Sequence, residues 1–292
     1  MPEIEIGFLD PDNSESHIRE LLVKKTEQWK SNFTEKEIHI KLSYVNNGDW
    51  SHHLLNGDKE IICLPLSFTD NSVPEELRIF ALFSNDVKPR NIICSLHSYD
   101  QTEDLRLKKG SRIGVTDPVH AVQLRHLNPE INSFEVADYY NLKQKFESGE
   151  LDAFLSKLND ENIENIKNSK VITLHPDEFI ENTGYDKLVL TAHRESKKWM
   201  EILYPVFHDK NLTVCSNVER TICKHFDYLT SFVVKVRCKK DNKNFFHVKA
   251  ALINKDTSTY FEHTISQSTH HRIAEKMIYM LSGFIKQSSK AE

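Results

Sequence analysis

Apolar and polar residues alternate at the start of the chain. Ile4, Ile6 and Phe8 fall on one side of Glu3–Leu9, the period of a strand. Ser14 or Ser16 can cap a helix over residues 16–30, with Ile18, Leu21, Leu22 and Trp29 on one face. The alternation returns through Ile38, Ile40, Leu42 and Tyr44, and Asn46-Asn47-Gly48-Asp49 carries turn chemistry. Ile61–Leu66 and Leu77–Phe83 are unbroken apolar runs, predicting buried strands. Strand–helix–strand is the crossover that joins parallel strands.

A second alternating run begins near residue 90. Strands are expected at Asn91–Leu96, Arg112–Val115, Ser133–Val136, Ala153–Ser156 and Val171–Leu174. Helices are expected at Pro118–Leu127, with proline in the first turn, and at Tyr139–Glu147, ended by Gly149. The last third differs. Helical patterns at Glu195–Tyr204 and Asn211–Phe226 precede three strand-like stretches, Ser231–Cys238, Phe245–Ile253 and Ser258–Thr264, with a hairpin turn expected over Lys239–Lys243. His270–Ile285 closes as an amphipathic helix. The pattern predicts two α/β lobes and a small C-terminal α+β domain.

Composition narrows the function classes. With 38 Lys+Arg against 43 Asp+Glu the net charge is -5, which argues against a nucleic-acid partner. No uncharged run approaches the roughly 18 residues that cross a bilayer, so no membrane role is expected. The acidic opening MPEIEIGFLD lacks the basic end and apolar run of a signal peptide, and a cytoplasmic location is expected. Cys63, Cys94, Cys215, Cys223 and Cys238 are odd in number, widely spaced and without a CxxC pair, the pattern of reduced thiols.

Candidate chemistry is sparse. Fifteen histidines include the adjacent pairs His52-His53 and His270-His271, but neighbours in sequence do not share a face, and no metal site is expected. With 8 glycines there is no Walker A loop, no GxGxxG and no GxSxG elbow. Lys108-Lys109 and Lys239-Lys240 have the character of solvated turns. Cys63 and Cys94 lie in apolar strand runs, where burial raises a thiol pKa and makes it inert. A cleft between the lobes is expected as a natural ligand site.

Several segments, in order, resemble porphobilinogen deaminase (hydroxymethylbilane synthase). Gly110-Ser-Arg-Ile-Gly114-Val-Thr116, followed by Ala121-Val-Gln-Leu124-Arg125 and Leu127-Asn-Pro-Glu-Ile131, is similar to the family's GxRIGTSSLRRxAQL segment. Ser148-Gly149-Glu-Leu-Asp152-Ala153 resembles EGxYDA, His175–Phe179 with Gly184 and Leu188–Leu190 resembles the stretch around PAPGQGALAIE, and Val218-Glu219-Arg220 resembles the ERAFL opening of the third domain. Ile6-Gly7 and Asn47-Gly48-Asp49 match IGTR and TTGD. The resemblance implies two periplasmic-binding-protein-like α/β lobes plus a small C-terminal α+β domain: residues 1–88 plus about 188–210, residues 89–187, and residues 211–292. It also implies a chemistry in which four porphobilinogens are joined head to tail with loss of ammonia. That chemistry uses a dipyrromethane cofactor on a cysteine, a proton-handling aspartate, and arginines on the substrate carboxylates.

The sequence departs from the family at those functional positions. The catalytic aspartate aligns with Phe68; Asp70, two residues on, is the available substitute, displaced by roughly 7 Å along a strand. The cofactor cysteine aligns with Thr230, so the dipyrromethane is expected to be absent. The paired arginines fall on Val119-His120 and the arginine of IGTR on Leu9. Thr116, His120 and Lys143 remain as candidate substrate contacts. The whole chain has 10 Arg against 28 Lys, and a lysine holds a carboxylate only as a point charge. The leading expectation is a degenerate deaminase associated with tetrapyrrole biosynthesis, without activity, whose partner is another enzyme of that synthesis. The alternatives are an active divergent hydroxymethylbilane synthase and a module binding a small anion or pyrrole in the interlobe cleft.

Overall fold

The computed structural model describes residues 3–9, 15–32, 39–45, 50–69, 73–157, 166–254 and 256–288. In chain order the elements are β1 (Glu3–Phe8), α1 (Glu15–Asn32), β2 (His39–Tyr44), α2 (Trp50–Leu55), β3 (Ile61–Pro65), β4 (Leu77–Ser84), β5 (Asn91–Ser95), β6 (Arg112–Val115), α3 (Pro118–Leu127) and β7 (Asn132–Glu135). There follow α4 (Tyr139–Glu147), β8 (Ala153–Leu155), β9 (Ser169–Thr173), β10 (Lys187–His193), α5 (Lys197–Phe207), α6 (Lys210–Phe226), β11 (Phe232–Lys240), β12 (Phe246–Asn254), β13 (Tyr260–Gln267) and α7 (Ile273–Ser288). The chain forms two compact units, Met1–Val87 with Asn182–Asn217 and Lys88–Glu181 with Val218–Glu292.

In the first unit the sheet order is β2-β1-β3-β10-β4. β1 runs parallel to β2 and β3, whereas β10 is antiparallel to both β3 and β4. The unbroken apolar run of β3 is explained by burial on both faces. Ile61 and Cys63 join Ile4, Ile6, Phe83, Leu190 and Leu203 on one side, and Ile62 and Leu64 join Leu54, Leu82 and Val189 on the other.

The second unit contains two sheets. The larger has the order β7-β6-β8-β5-β9, with β6 parallel to β7 and β8, and β5 antiparallel to β8 and β9. Both five-stranded sheets therefore have three parallel strands in the order second–first–third, then one antiparallel strand (β10, from far along the chain, in the first, and β5, which precedes the parallel strands, in the second), then an edge strand. The smaller sheet, β11-β12-β13, is an antiparallel meander. Val236, Val248, Ala250 and Leu252 are buried in it, as are Ile273, Met277 and Leu281 of α7, which packs on β12 and β13. The two α/β sheets and the C-terminal sheet-and-helix layer are the fold class expected from the pattern.

Three local expectations are corrected. Phe68, expected to be buried on an early strand or at that strand's cleft end, lies just past the carboxyl end of β3 and is half-buried rather than buried: β3 ends at Pro65, and Phe68 falls in a single 3-10 turn, Leu66–Thr69, in which the Thr69 hydroxyl donates to the Leu66 carbonyl at 2.7 Å. The six-residue helix α2 was not expected, because it is too short to show a 3.6-residue period. Lys239-Lys240 is not a turn: β11 continues through Lys240, and the reversal is made at Asp241, whose carboxylate accepts the backbone N–H of Lys243 and Phe245 at 2.8 Å. Lysine side chains obscured the alternation there because one face of the strand is polar.

Gly114 on β6 illustrates how tightly α4 seats. A Cβ at this position would overlap the side chains of Leu142 on α4 and Leu151, both buried. Gly114→Ala is expected to destabilise the protein by roughly 1–3 kcal/mol, the usual cost of overpacking. A urea unfolding midpoint equal to that of the parent would show that α4 can shift without cost.

Candidate functional site

Open α/β sheets bind ligands outside the carboxyl ends of their parallel strands, where the strand order reverses. In the first sheet that reversal lies between β1 and β3. The residue following β1 is Leu9, fully buried, and the 3-10 turn with Phe68 follows β3. Both side chains belong to one apolar cluster with Val45, Leu54, Leu64 and Leu66. The positions that the family resemblance would give to an arginine and an aspartate, Leu9 and Phe68, thus lie in one apolar cluster. Exchanging a charged pair for apolar packing can be neutral or stabilising, but it removes any group able to move a proton. Asp70 lies outside the described residues.

In the second α/β sheet the reversal lies between β6 and β8. Thr116 follows β6 and is exposed. Asp117 then caps α3, its Oδ1 accepting the Val119 N–H at 2.8 Å, and Pro118 contributes no N–H. A helix N-terminus attracts anions through its free N–H groups and dipole; here the protein's own carboxylate occupies that place. One turn on, His120 is buried, and neither ring nitrogen has a hydrogen-bond partner among the described residues. Its Nε2 lies 3.7 Å from Asp117 Oδ2. Burial, with Lys235 and Arg90 nearby, holds its pKa well below the ordinary histidine value, so the ring is neutral.

The charged groups around this edge are already matched. Arg90 donates from Nε to Glu181 at 2.7 Å and from Nη1 to the Ser156 carbonyl, just past β8, at 2.8 Å. Lys235, on β11, is almost fully buried and donates to Gln123 Oε1 at 2.9 Å, while Gln123 donates to the Ile180 carbonyl at 3.1 Å. Two cations, Arg90 and Lys235, stand beside two carboxylates, Asp117 and Glu181, and the sum is zero. Apolar contacts of Val119, Val122 and Ile180 with Ala251 and Ile253 hold the meander against this edge. Lys143 sits on α4 with its ammonium 5.0 Å from the centre of the Tyr139 ring, which Lys157 shares at 5.1 Å.

Thr230 is exposed in the connection between α6 and β11. Cys63, Cys94, Cys215 and Cys238 are buried, and Cys223 is half-buried with Sγ directed to the Val234 carbonyl. Burial pushes the Cys63 thiol far up and that of Cys94 up to about 11, leaving both protonated. Among the described residues no group of three His, Cys, Asp or Glu side chains is arranged to hold a metal ion, and no helix is long and apolar enough to cross a membrane.

Sequence reasoning singled out His120 but missed Lys235 and Asp117. Lys235 carried one usable signal, a lone lysine between Val234 and Val236 in an apolar strand. The role of Asp117 was concealed because it replaces a serine of the resembled motif with another capping residue.

No family model and no curated protein matches the chain. Solved structures do. The L-cystine solute receptor of Neisseria gonorrhoeae in its unliganded open conformation is similar at TM-score 0.43 and 10% identity, over 70% of this chain and 85% of that one. A TRAP periplasmic solute-binding protein from Ochrobactrum anthropi is similar at 0.42 and 15%, over 68% and 72%. The reduced regulatory domain of OxyR2 from Vibrio vulnificus is similar at 0.38 and 14%, over 70% and 94%. All three TM-scores are below 0.5, and the fold assignment rests on strand order and register.

Lys235 provides a pH test of the matched edge. Burial, the largest influence, lowers its pKa to about 8, against the pull of Glu181 and Asp117. The unfolded chain keeps this proton to about pH 10.4. Between these values the unfolded state binds more protons, so the group makes stability rise with pH; below about 8 both states are protonated and its penalty is constant. The stability difference between the parent and Lys235→Met, measured by urea unfolding, should therefore shift in favour of the parent from about pH 8 to pH 10. A difference flat across that range would show that Lys235 is not desolvated in the fold.

Proposed function

We propose that the chain is a degenerate, deaminase-like binding protein of tetrapyrrole synthesis that has lost the deaminase reaction. The observation that carries this reading is the filling of both strand-end edges by the protein itself, with Leu9 and Phe68 in an apolar cluster at the first and the Asp117 carboxylate at the helix terminus of the second. A polyanionic pyrrole chain needs fixed cationic forks and a proton-handling carboxylate beside it. At the second edge Arg90 is committed to Glu181, and two other arginines of that lobe are committed to protein groups: Arg112 to Asp152, and Arg125 to Ser133 and Ser258. Losses of acid–base group, anchor and clamps within one catalytic unit leave binding rather than turnover.

The return of β10 into the first sheet, after the second has been built, supports the deaminase-like reading of the chain path. The division into residues 1–88 with about 188–210, 89–187 and 211–292 is part of this proposal, as are its cytoplasmic location and a second tetrapyrrole enzyme as partner. Thr116, His120 and Lys143 are proposed as vestiges of the substrate contacts.

The test is direct. Protein produced with ample porphobilinogen is expected to show the bare polypeptide mass and to consume no porphobilinogen. Phe68→Asp should also give no turnover and should cost roughly 1–3 kcal/mol, since it places a carboxylate in an apolar cluster with Leu9 in place of an arginine. Turnover in either protein, or an adduct on Cys223 or Cys238, would establish the active enzyme instead.

A further inference from the structure

The meander β11-β12-β13 has two chemically distinct faces. Side chains alternate across a strand, and the face opposite the buried Val236, Cys238, Val248 and Ala250 carries Arg237 and Lys239 on β11, His247 and Lys249 on β12, and Thr264 on β13. Register places Arg237 directly opposite Lys249 and Lys239 directly opposite His247. The like charges of Arg237 and Lys249 in opposing positions are unfavourable in a sheet, and a neighbouring anion relieves them. Together with Asp177, these five side chains line a groove of about 250 Å³.

The anion now in the groove is the protein's own. Asp177 lies in the turn after β9, whose backbone is held by Glu178 and Phe179 N–H groups donating to the His175 carbonyl. Its carboxylate pairs with Lys239 and lies 3.8 Å from Arg237 Nε. Burial opposes its ionisation, but Lys239 and Arg237 outweigh that and hold its pKa below the ordinary range. Lys249 and His247 have partners outside the lining: Lys249 pairs with Glu262 at 2.9 Å, and His247 contacts Asp241 at 3.1 Å. Arg237 does not. Its guanidinium makes no hydrogen bond among the described residues, although it is only about one-third exposed (34%), and the Thr264 hydroxyl is likewise unbonded. A planar five-donor fork beside a free hydroxyl, with two ammonium groups flanking, matches the oxygens of a carboxylate or phosphoryl group.

We propose that this groove is a binding site for a compact oxyanion, a phosphate or a small dicarboxylate, with Arg237 as the bidentate contact, Thr264 as a second donor and Asp177 as a built-in competitor that the ligand displaces. The site lies on residues distinct from the strand-end edges, so it stands or falls independently of the deaminase-like reading. The ligand is small because the groove falls below the roughly 300–1,000 Å³ of drug-sized pockets.

Titration calorimetry of the full chain with inorganic phosphate, and separately with succinate, tests the proposal. Binding of at least one is expected, and the tighter of the two identifies the terminal group. Arg237→Ala should weaken it at least about tenfold, the loss of one charge-assisted contact, and Arg237→Lys should weaken it less. Asp177→Asn should tighten binding several-fold, an effect of opposite sign that general loss of structure does not produce. Circular dichroism confirms that each variant is folded. No binding of either anion at about 10 mM, weaker than even a millimolar Kd, or a folded Arg237→Ala that binds as the parent does, would overturn the proposal.

Discussion

The strand that the chain inserts late governs the first unit. β10 enters antiparallel between β3 and β4, and six of its seven residues, Lys187–Ala192, are buried. Without it β3 and β4 would each expose an unpaired edge, and the apolar faces of Ile61–Leu64 and Phe80–Phe83 would lose the Leu188–Leu190 side chains that cover them. Because its partners lie about a hundred residues earlier in sequence, this sheet is completed only after the second lobe has been synthesised, a long-range closure of the kind that slows folding. The second sheet uses the same device in reverse order, with β5 made first and β6, β7 and β8 afterwards.

A repeated scaffold of this kind offers two equivalent edges, at the carboxyl ends of the parallel strands. At one, Leu9 and Phe68 present hydrocarbon; at the other, the Asp117 carboxylate caps the helix terminus, and Arg90 and Lys235 stand balanced against Asp117 and Glu181. The physical consequence is common to both. An edge whose electrostatic demand is met internally has little free energy left to offer a polyanion. The buried imidazole of His120, without a hydrogen-bond partner among the described residues, stays neutral.

The meander presents the contrary case. Its alternation of valine with lysine and arginine along β11 produces one face that packs and one that repels itself, relieved at one end by apolar contact and Lys235 burial and at the other by Asp177. A single strand thus carries a structural lysine at 235 and an incompletely satisfied arginine two residues later at 237.

By itself the sequence determined the elements whose signal is local: the alternation of Ile4, Ile6 and Phe8, the apolar runs of β3 and β4, the proline-started helix at 118, and the valine-rich meander strands. These follow from periods of 2 and 3.6 residues that need no partner to be visible. It also shows phenylalanine at 68, threonine at 230 and leucine at 9, positions that the resemblance would give to an acid, a thiol and a guanidinium. Only the tertiary structure decided that Leu9 and Phe68 share one cluster, that Asp117 fills its own helix terminus, and that Lys239 is a strand residue paired with Asp177. The first and last depend on contacts between residues 59 and 62 positions apart, whose energies come from burial and register, whereas the Asp117 cap spans two positions and shows in the sequence only as a capping residue type. Charge at a sequence position does not reveal whether it will be solvated or matched; burial against another layer settles that, and it made Lys235 and Arg237 different in kind although both are cations on the same face of one strand.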